Sequence, residues 1–242
     1  GINEILVITT PKDLPLFKSL LFDGKQWGCS ISYAIQNQPK GIAEAFLIAK
    51  DFIGNDNVSL ILGDNIFYFP SLSSIVIPSI KSIGASIFAY HVSDPSRYGV
   101  VEFNEQNHII SIEEKPKKPK SNYAIPGFYF FDNNVVNYVK QLKPSARGEL
   151  EITDLIIKYH ERNLLNVIQM NKGTAWLDTG TVSSLMEASQ FVQVLESRQG
   201  LKVGCVEEQA YFKKYINDSQ LKKLAKPYNN GYGQYLISLL ND

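Results

Sequence analysis

Two aspartates stand where an α/β protein would do chemistry. Asp64 follows the apolar run Leu60-Ile-Leu-Gly63, and Asp178 lies within Trp176-Leu-Asp-Thr-Gly180, downstream of a strand-like run ending near Met170. In an open α/β sheet ligands bind beyond the carboxyl ends of the strands. Two carboxylates converging there could hold Mg²⁺, a cation that takes oxygen ligands and keeps water and substrate phosphates in its shell. Phosphoryl-type transfer also needs cations against the negative charge. Lys115, in Ile112-Glu-Glu-Lys-Pro116, and Arg147, in Pro144-Ser-Ala-Arg-Gly148, are the candidates. Each of these residues admits a plainer reading. The aspartates could cap a turn, the lysine could be a solvated neighbour of Lys117-Lys118-Pro119-Lys120, and the arginine could mark a helix entry.

Weaker signals surround this set. The loop Gln36-Asn-Gln-Pro-Lys-Gly41 joins a strand to a helix, so Gly41 could permit close backbone approach and a Gln amide could read a pyrimidine edge. Tyr98-Gly99 and Tyr129 could line a sugar pocket or simply pack. His91, His108 and His160 form neither a metal spacing nor a triad, and no role is assigned to them.

The elements that must position these residues follow from apolar periodicity. Strands are expected at 5–9, 31–35, 58–62 and 85–90, alternating with helices at 14–21, 42–52 and 72–83, the pattern of a doubly wound βαβ layer. The runs 5–9 and 58–62 are almost wholly apolar, as expected of strands covered on both faces. Beyond residue 90 the strands 98–103, 108–114 and 124–131 are separated by Asn/Asp and Pro/Lys stretches, predicting antiparallel additions. Helices are expected at 134–142 and 150–162, a strand at 165–170, and a helical end at 182–196, 207–216, 219–226 and 233–240. The fold class is thus α/β, a Rossmann-like mixed and mostly parallel sheet between helices, with carboxyl-terminal helices. The expected division is an α/β domain over 1–200 and a helical segment over 201–242.

Composition narrows the partners. Lys plus Arg and Asp plus Glu each number 24, which gives no basis for a nucleic-acid groove or an acidic membrane surface. The cysteines, Cys29 and Cys205, have no metal-ligand spacing and suit a reducing compartment. No apolar stretch reaches the roughly 20 residues of a membrane helix, so the expectation is a soluble cytoplasmic protein.

Five segments occur in one order: Leu62-Gly-Asp-Asn-Ile-Phe67, Arg97-Tyr-Gly-Val-Val-Glu-Phe103, Ile112-Glu-Glu-Lys-Pro116, Pro144-Ser-Ala-Arg-Gly-Glu-Leu-Glu-Ile-Thr-Asp154 and Trp176-Leu-Asp-Thr-Gly-Thr181. Together they resemble the glucose-1-phosphate thymidylyltransferases, and the likeness runs through essentially the whole chain. The resemblance implies transfer of a thymidylyl group from dTTP to glucose 1-phosphate, giving dTDP-glucose and pyrophosphate, in the supply of deoxysugars such as rhamnose to surface polysaccharide. It implies Mg²⁺ held by Asp64 and Asp178, the sugar phosphate bound by Lys115 and Arg147, glucose hydroxyls by Glu114 and Gly99, and thymine by Gln36 and Gly41. Tyr98, Tyr129 and Trp176 would shape the pocket. It further implies a homotetramer whose carboxyl-terminal helices serve assembly and feedback by a dTDP-sugar.

The family also begins with a strand and a loop of the form Gly-Gly-x-Gly-Thr-Arg that grips the triphosphate, and these 242 residues contain no such segment. The expectation is therefore an amino-terminally truncated chain, either a fragment of a longer enzyme or a non-catalytic remnant that binds a nucleotide-sugar. A metal-dependent glycosyltransferase is disfavoured, because Gly63-Asp64-Asn65 lacks the Asp-x-Asp pattern common there.

Overall fold

The computed structural model describes residues 2–69 and 83–241. The helix expected over 72–83 lies almost entirely outside the described residues. Contacts divide the chain into two units, one of Gly1–Gln38 with Ser189–Asp242 and one of Pro39–Ala188.

The first unit opens with a βαβ turn. β1 (Glu4–Thr9) and β2 (Ser30–Ile35) pair in parallel, Ile5 opposite Ile31 and Thr9 opposite Ile35, joined by α1 (Leu14–Leu21). Pro15 suits the first turn of α1, where no backbone N–H partner is lost. The Tyr33 hydroxyl donates to the Phe22 carbonyl just beyond the helix, tying α1 back to β2. The boundary with the second unit falls within the helix Val182–Gln199, after which three short helices, Val206–Phe212, Asp218–Ala225 and Gly231–Ser238, close around Cys205, Ala210, Ile216, Leu221, Leu236 and Leu239. The helix Asp218–Ala225 starts at a reciprocal cap. Asn217 Oδ1 accepts from Gln220 N at 3.0 Å and Gln220 Oε1 accepts from Asn217 N at 2.9 Å.

The second unit holds a seven-stranded sheet. After the short helices α2 (Glu44–Ile48) and α3 (Lys50–Ile53) come β3 (Val58–Ile61), β4 (Asn65–Tyr68), β5 (Ala85–His91), β6 (Gly99–Phe103), β7 (Ile109–Glu114), β8 (Tyr123–Ala124) and β9 (Phe128–Phe131). Helices α4 (Val135–Val139) and α5 (Ile152–Glu161) precede β10 (Leu165–Gln169) and β11 (Ala175–Asp178), and α6 is Val182–Gln199. The sheet runs β3-β9-β5-β8-β6-β7 with β10 beside β5, while β4 and β11 form a separate antiparallel pair. Phe46, Phe88, Phe131, Leu155, Ile156 and Tyr159 are fully buried in this unit.

Several expectations are corrected here. The sheet is mostly antiparallel rather than mostly parallel: among the described strands only β1 with β2 and β5 with β10 pair in parallel. The physical reason is that β9 inserts antiparallel between β3 and β5, which therefore do not pair with each other, and that β6, β7 and β8 add to the sheet antiparallel. The run 124–131 is two strands, because Pro126 has no N–H for a ladder and the Gly127 N–H is taken by the Asn65 side chain at 3.0 Å. The region 42–52 is two helices meeting at Ala49, whose ψ of 3° leaves the helical range. Strands β1 and β3 are not covered on both faces, since Ile5 is 39% and Ile61 56% exposed. No helix among the described residues is long and apolar enough to cross a membrane.

Candidate active site

The site is assembled by register. Antiparallel pairing of β4 with β11 sets Asp178 opposite Asn65, which brings Asp64, in the turn after β3, beside Asp178. The turn is fastened from the other strand, with the Thr179 N–H and hydroxyl both donating to the Asp64 carbonyl at 2.8 Å. Asn65 is the hub. Its Oδ1 accepts from Trp176 Nε1 at 2.7 Å and Gly127 N at 3.0 Å, while its Nδ2 donates to Asp64 Oδ1 at 2.7 Å.

These strands wall a cavity of about 590 Å³ in the second unit, the size of a nucleotide-sugar or drug-like ligand. Asp64, Tyr98, Gly99, Glu114, Lys115, Tyr129, Trp176 and Asp178 all line it. Arg147 joins through its ion pair to Glu114 at 3.4 Å. Gly41 immediately precedes the lining residue Ile42, and its φ of 99° is one that favours glycine. A Cβ on Gly41 would stand 2.3 Å from the Leu150 carbonyl oxygen, so the close approach expected there is to the chain's own backbone. Gln36 belongs to the first unit, where its N–H extends the β1–β2 ladder to Thr9 O at 2.9 Å.

The two aspartates are held differently. The Tyr98 hydroxyl donates to Asp178 Oδ2 at 3.1 Å, and Arg97 Nη2 lies 3.5 Å from the same oxygen. Burial, then the Asp178 charge and hydrogen bond, push the Tyr98 phenol up, so it stays a donor. Its ring packs edge-on against Trp176 at 4.9 Å. A Cβ on Gly180 would meet Asp178 Oδ1 at 3.0 Å and Asp64 Oδ2 at 3.7 Å, so glycine leaves open the space between the carboxylates. Two carboxylates at such a gap fit a Mg²⁺ that completes its shell with water and phosphate oxygens. Among the described residues no three His, Cys, Asp or Glu side chains are grouped to hold a metal by themselves.

The same cavity is lined by a mixed-charge group. Glu114 Oε1 faces Lys115 Nζ at 3.9 Å and Arg147 Nη2 at 3.4 Å, and its Oε2 accepts from the Thr153 hydroxyl. Lys115 sits at φ 42°, a left-handed conformation that costs a non-glycine residue energy and turns the chain out of β7. Gly99 is needed opposite, since a Cβ there would come within 2.9 Å of Thr153 Oγ1. Tyr129, between β3 and β5 in the sheet, is buried, and that burial with the charges of Glu114 and Asp64 pushes its phenol up.

Sequence reasoning passed over four residues of this constellation. Asn65, Arg97, Thr153 and Glu151 each stand inside a quoted segment, next to or near a residue that was singled out. Asn65 opens β4, Arg97 precedes β6, and Glu151 and Thr153 lie at the start of α5, so polar residues at element boundaries were the available signal.

A family model described as Nucleotidyl transferase matches residues 1–194. The glucose-1-phosphate thymidylyltransferase of Mycolicibacterium smegmatis is 54% identical over 242 residues, covering all of this chain and 84% of that relative. That of Neisseria meningitidis is 52% identical over 99% of this chain and 84% of its own length. Among solved structures, a Bacillus anthracis protein described as a glucose-1-phosphate thymidylyltransferase, in complex with sucrose, matches with TM-score 0.72 and 41% identity over 78% of this chain and 76% of that one. A UDP-glucose pyrophosphorylase complexed with UDP-glucose matches with TM-score 0.67 and 25% identity over 79% and 81%. With such identity along its whole length, the chain belongs to the nucleotidyl transferase family and, within it, to the glucose-1-phosphate thymidylyltransferases.

Proposed function

We propose that the chain catalyses thymidylyl transfer from dTTP to α-D-glucose 1-phosphate, forming dTDP-glucose and pyrophosphate. The observation that carries this reading is one cavity lined by both the aspartate pair and Glu114, which is paired with the cations Lys115 and Arg147. A phosphate oxygen of glucose 1-phosphate attacks the α-phosphorus. The bond from that phosphorus to the β-phosphate bridging oxygen breaks, and its electron pair leaves with pyrophosphate. The nucleophile is already an oxyanion near neutral pH, because the second ionisation of a phosphate monoester lies near ~6, so no general base is needed. Positioning and charge neutralisation dominate.

In this reading Lys115 and Arg147 bind the sugar phosphate, and Glu114, oriented by Thr153, accepts from a glucose hydroxyl. Gly99 leaves room for the sugar, and Tyr129 and Trp176 form its walls. Tyr98 fixes the rotamer of Asp178. Asp64 and Asp178 would hold Mg²⁺, which when bound neutralises charge at the α-phosphate. Gly41, beside the lining residue Ile42, would contact thymine. Assembly as a homotetramer, feedback by a dTDP-sugar and a cytoplasmic location complete the reading.

Incubation with glucose 1-phosphate, Mg²⁺ and either dTTP or UTP, with nucleotide-sugar products separated by chromatography, tests it. dTDP-glucose formed in preference to UDP-glucose is the expected result. Glucose transfer to an acceptor without pyrophosphate would contradict it.

A further inference from the structure

Arg147 is gripped from behind. Its Nε donates to Glu151 Oε1 at 3.1 Å and its Nη2 to Glu151 Oε2 at 2.7 Å, a side-on bidentate pair. Such a pair fixes a planar guanidinium in direction as well as in place. Glu151 is 6% exposed, and its Oε1 also accepts from the Ser145 hydroxyl at 2.6 Å. The Ser145 hydroxyl in turn accepts the Arg147 N–H at 3.2 Å, and the Gly148 N–H closes a turn on Ser145 O at 2.8 Å. The loop carrying Arg147 is therefore knotted to one carboxylate at the start of α5. Nη2 also faces Glu114 and Glu149, whereas among the described residues Nη1 has no such partner, so the grip leaves Nη1 for an anion.

From this geometry we infer that Glu151 is a positioning residue for sugar-phosphate binding, setting the direction in which Arg147 presents Nη1. The inference rests on the proposed role of Arg147. It makes a counterintuitive demand: a negative charge beside the phosphate site strengthens binding of an anion. Removing it should free Arg147 to turn toward Glu114 or Glu149, 3.4 and 3.3 Å from Nη2, and to lose its alignment.

The test compares Glu151→Gln, Ser145→Ala and Arg147→Ala in steady-state kinetics with each substrate varied, alongside thermal melting. Glu151→Gln keeps size and one acceptor but removes the bidentate charge. It should raise KM for glucose 1-phosphate about tenfold or more, as expected for losing a hydrogen-bonded charge pair, with KM for dTTP within about twofold. Ser145→Ala should move KM in the same direction by less, and decides the matter if Glu151→Gln fails to fold. An unchanged or lowered KM for glucose 1-phosphate in the folded variants, or parallel changes for both substrates, overturns the inference. If Arg147→Ala raises that KM and these variants do not, only the positioning role fails. If Arg147→Ala has no effect, the underlying role of Arg147 fails with it.

Discussion

Gly180 shows how one missing side chain shapes the site. A methyl there would sit 3.0 Å from Asp178 Oδ1, in the gap between the two carboxylates. Gly180→Ala is expected to raise the Mg²⁺ concentration for half-maximal activity about tenfold, with little change in melting temperature; metal titrations of wild type and variant check this. Tyr98→Phe removes one hydrogen bond to Asp178 and keeps the edge-on contact with Trp176. Its expected cost is roughly three- to tenfold in turnover, measured at saturating substrate, and no change would mean that Arg97 and the Gly180 N–H suffice to hold Asp178.

At the scale of elements, the site depends on two strand pairs and one loop contact. Asn65→Ala deletes the acceptor shared by Trp176 and Gly127, leaving buried donors unpaired, and should destabilise the chain by about 2–3 kcal/mol. Gly41→Ala drives a Cβ into the Leu150 carbonyl at a φ of 99°, which calls for a similar or larger loss. Urea unfolding measures both. The aspartates were legible in the sequence because each follows an apolar run at a strand end. The helix at 14–21 was legible in full because Pro15 and a run of apolar residues define it. What was not legible is the partnership of β4 and β11, since the hydrogen bond from Trp176 to Asn65 spans 111 residues and depends on register rather than local pattern. The antiparallel insertion of β9 was hidden for the same reason, and with it the true direction of most of the sheet.

At the scale of the whole molecule, proton binding couples the Arg147 loop to folding. Burial alone would raise the Glu151 carboxyl, but the hydrogen bonds from Arg147 and Ser145 and the Arg147 charge outweigh it and hold it below the usual 4.5. The folded chain therefore binds this proton less readily than the unfolded chain. The stabilisation is present above about 4.5 and is lost as pH falls through the lower folded value. Asp154, raised by burial and by the Glu151 charge, acts in the opposite sense. Melting temperatures of wild type and Glu151→Gln between about pH 6 and pH 3 should converge as the pH drops, and a constant difference would mean that Glu151 contributes no charge-dependent stability.

Whether the Asp64–Asp178 pair makes this cavity a nucleotidyl-transfer site is decided by Asp178→Asn, which removes charge and keeps size. Pyrophosphate release should require dTTP, glucose 1-phosphate and Mg²⁺ together, and should fall about 100-fold or more in the variant, with melting temperature nearly unchanged. Release from the variant at the wild-type rate would mean that Asp178 takes no part in the transfer.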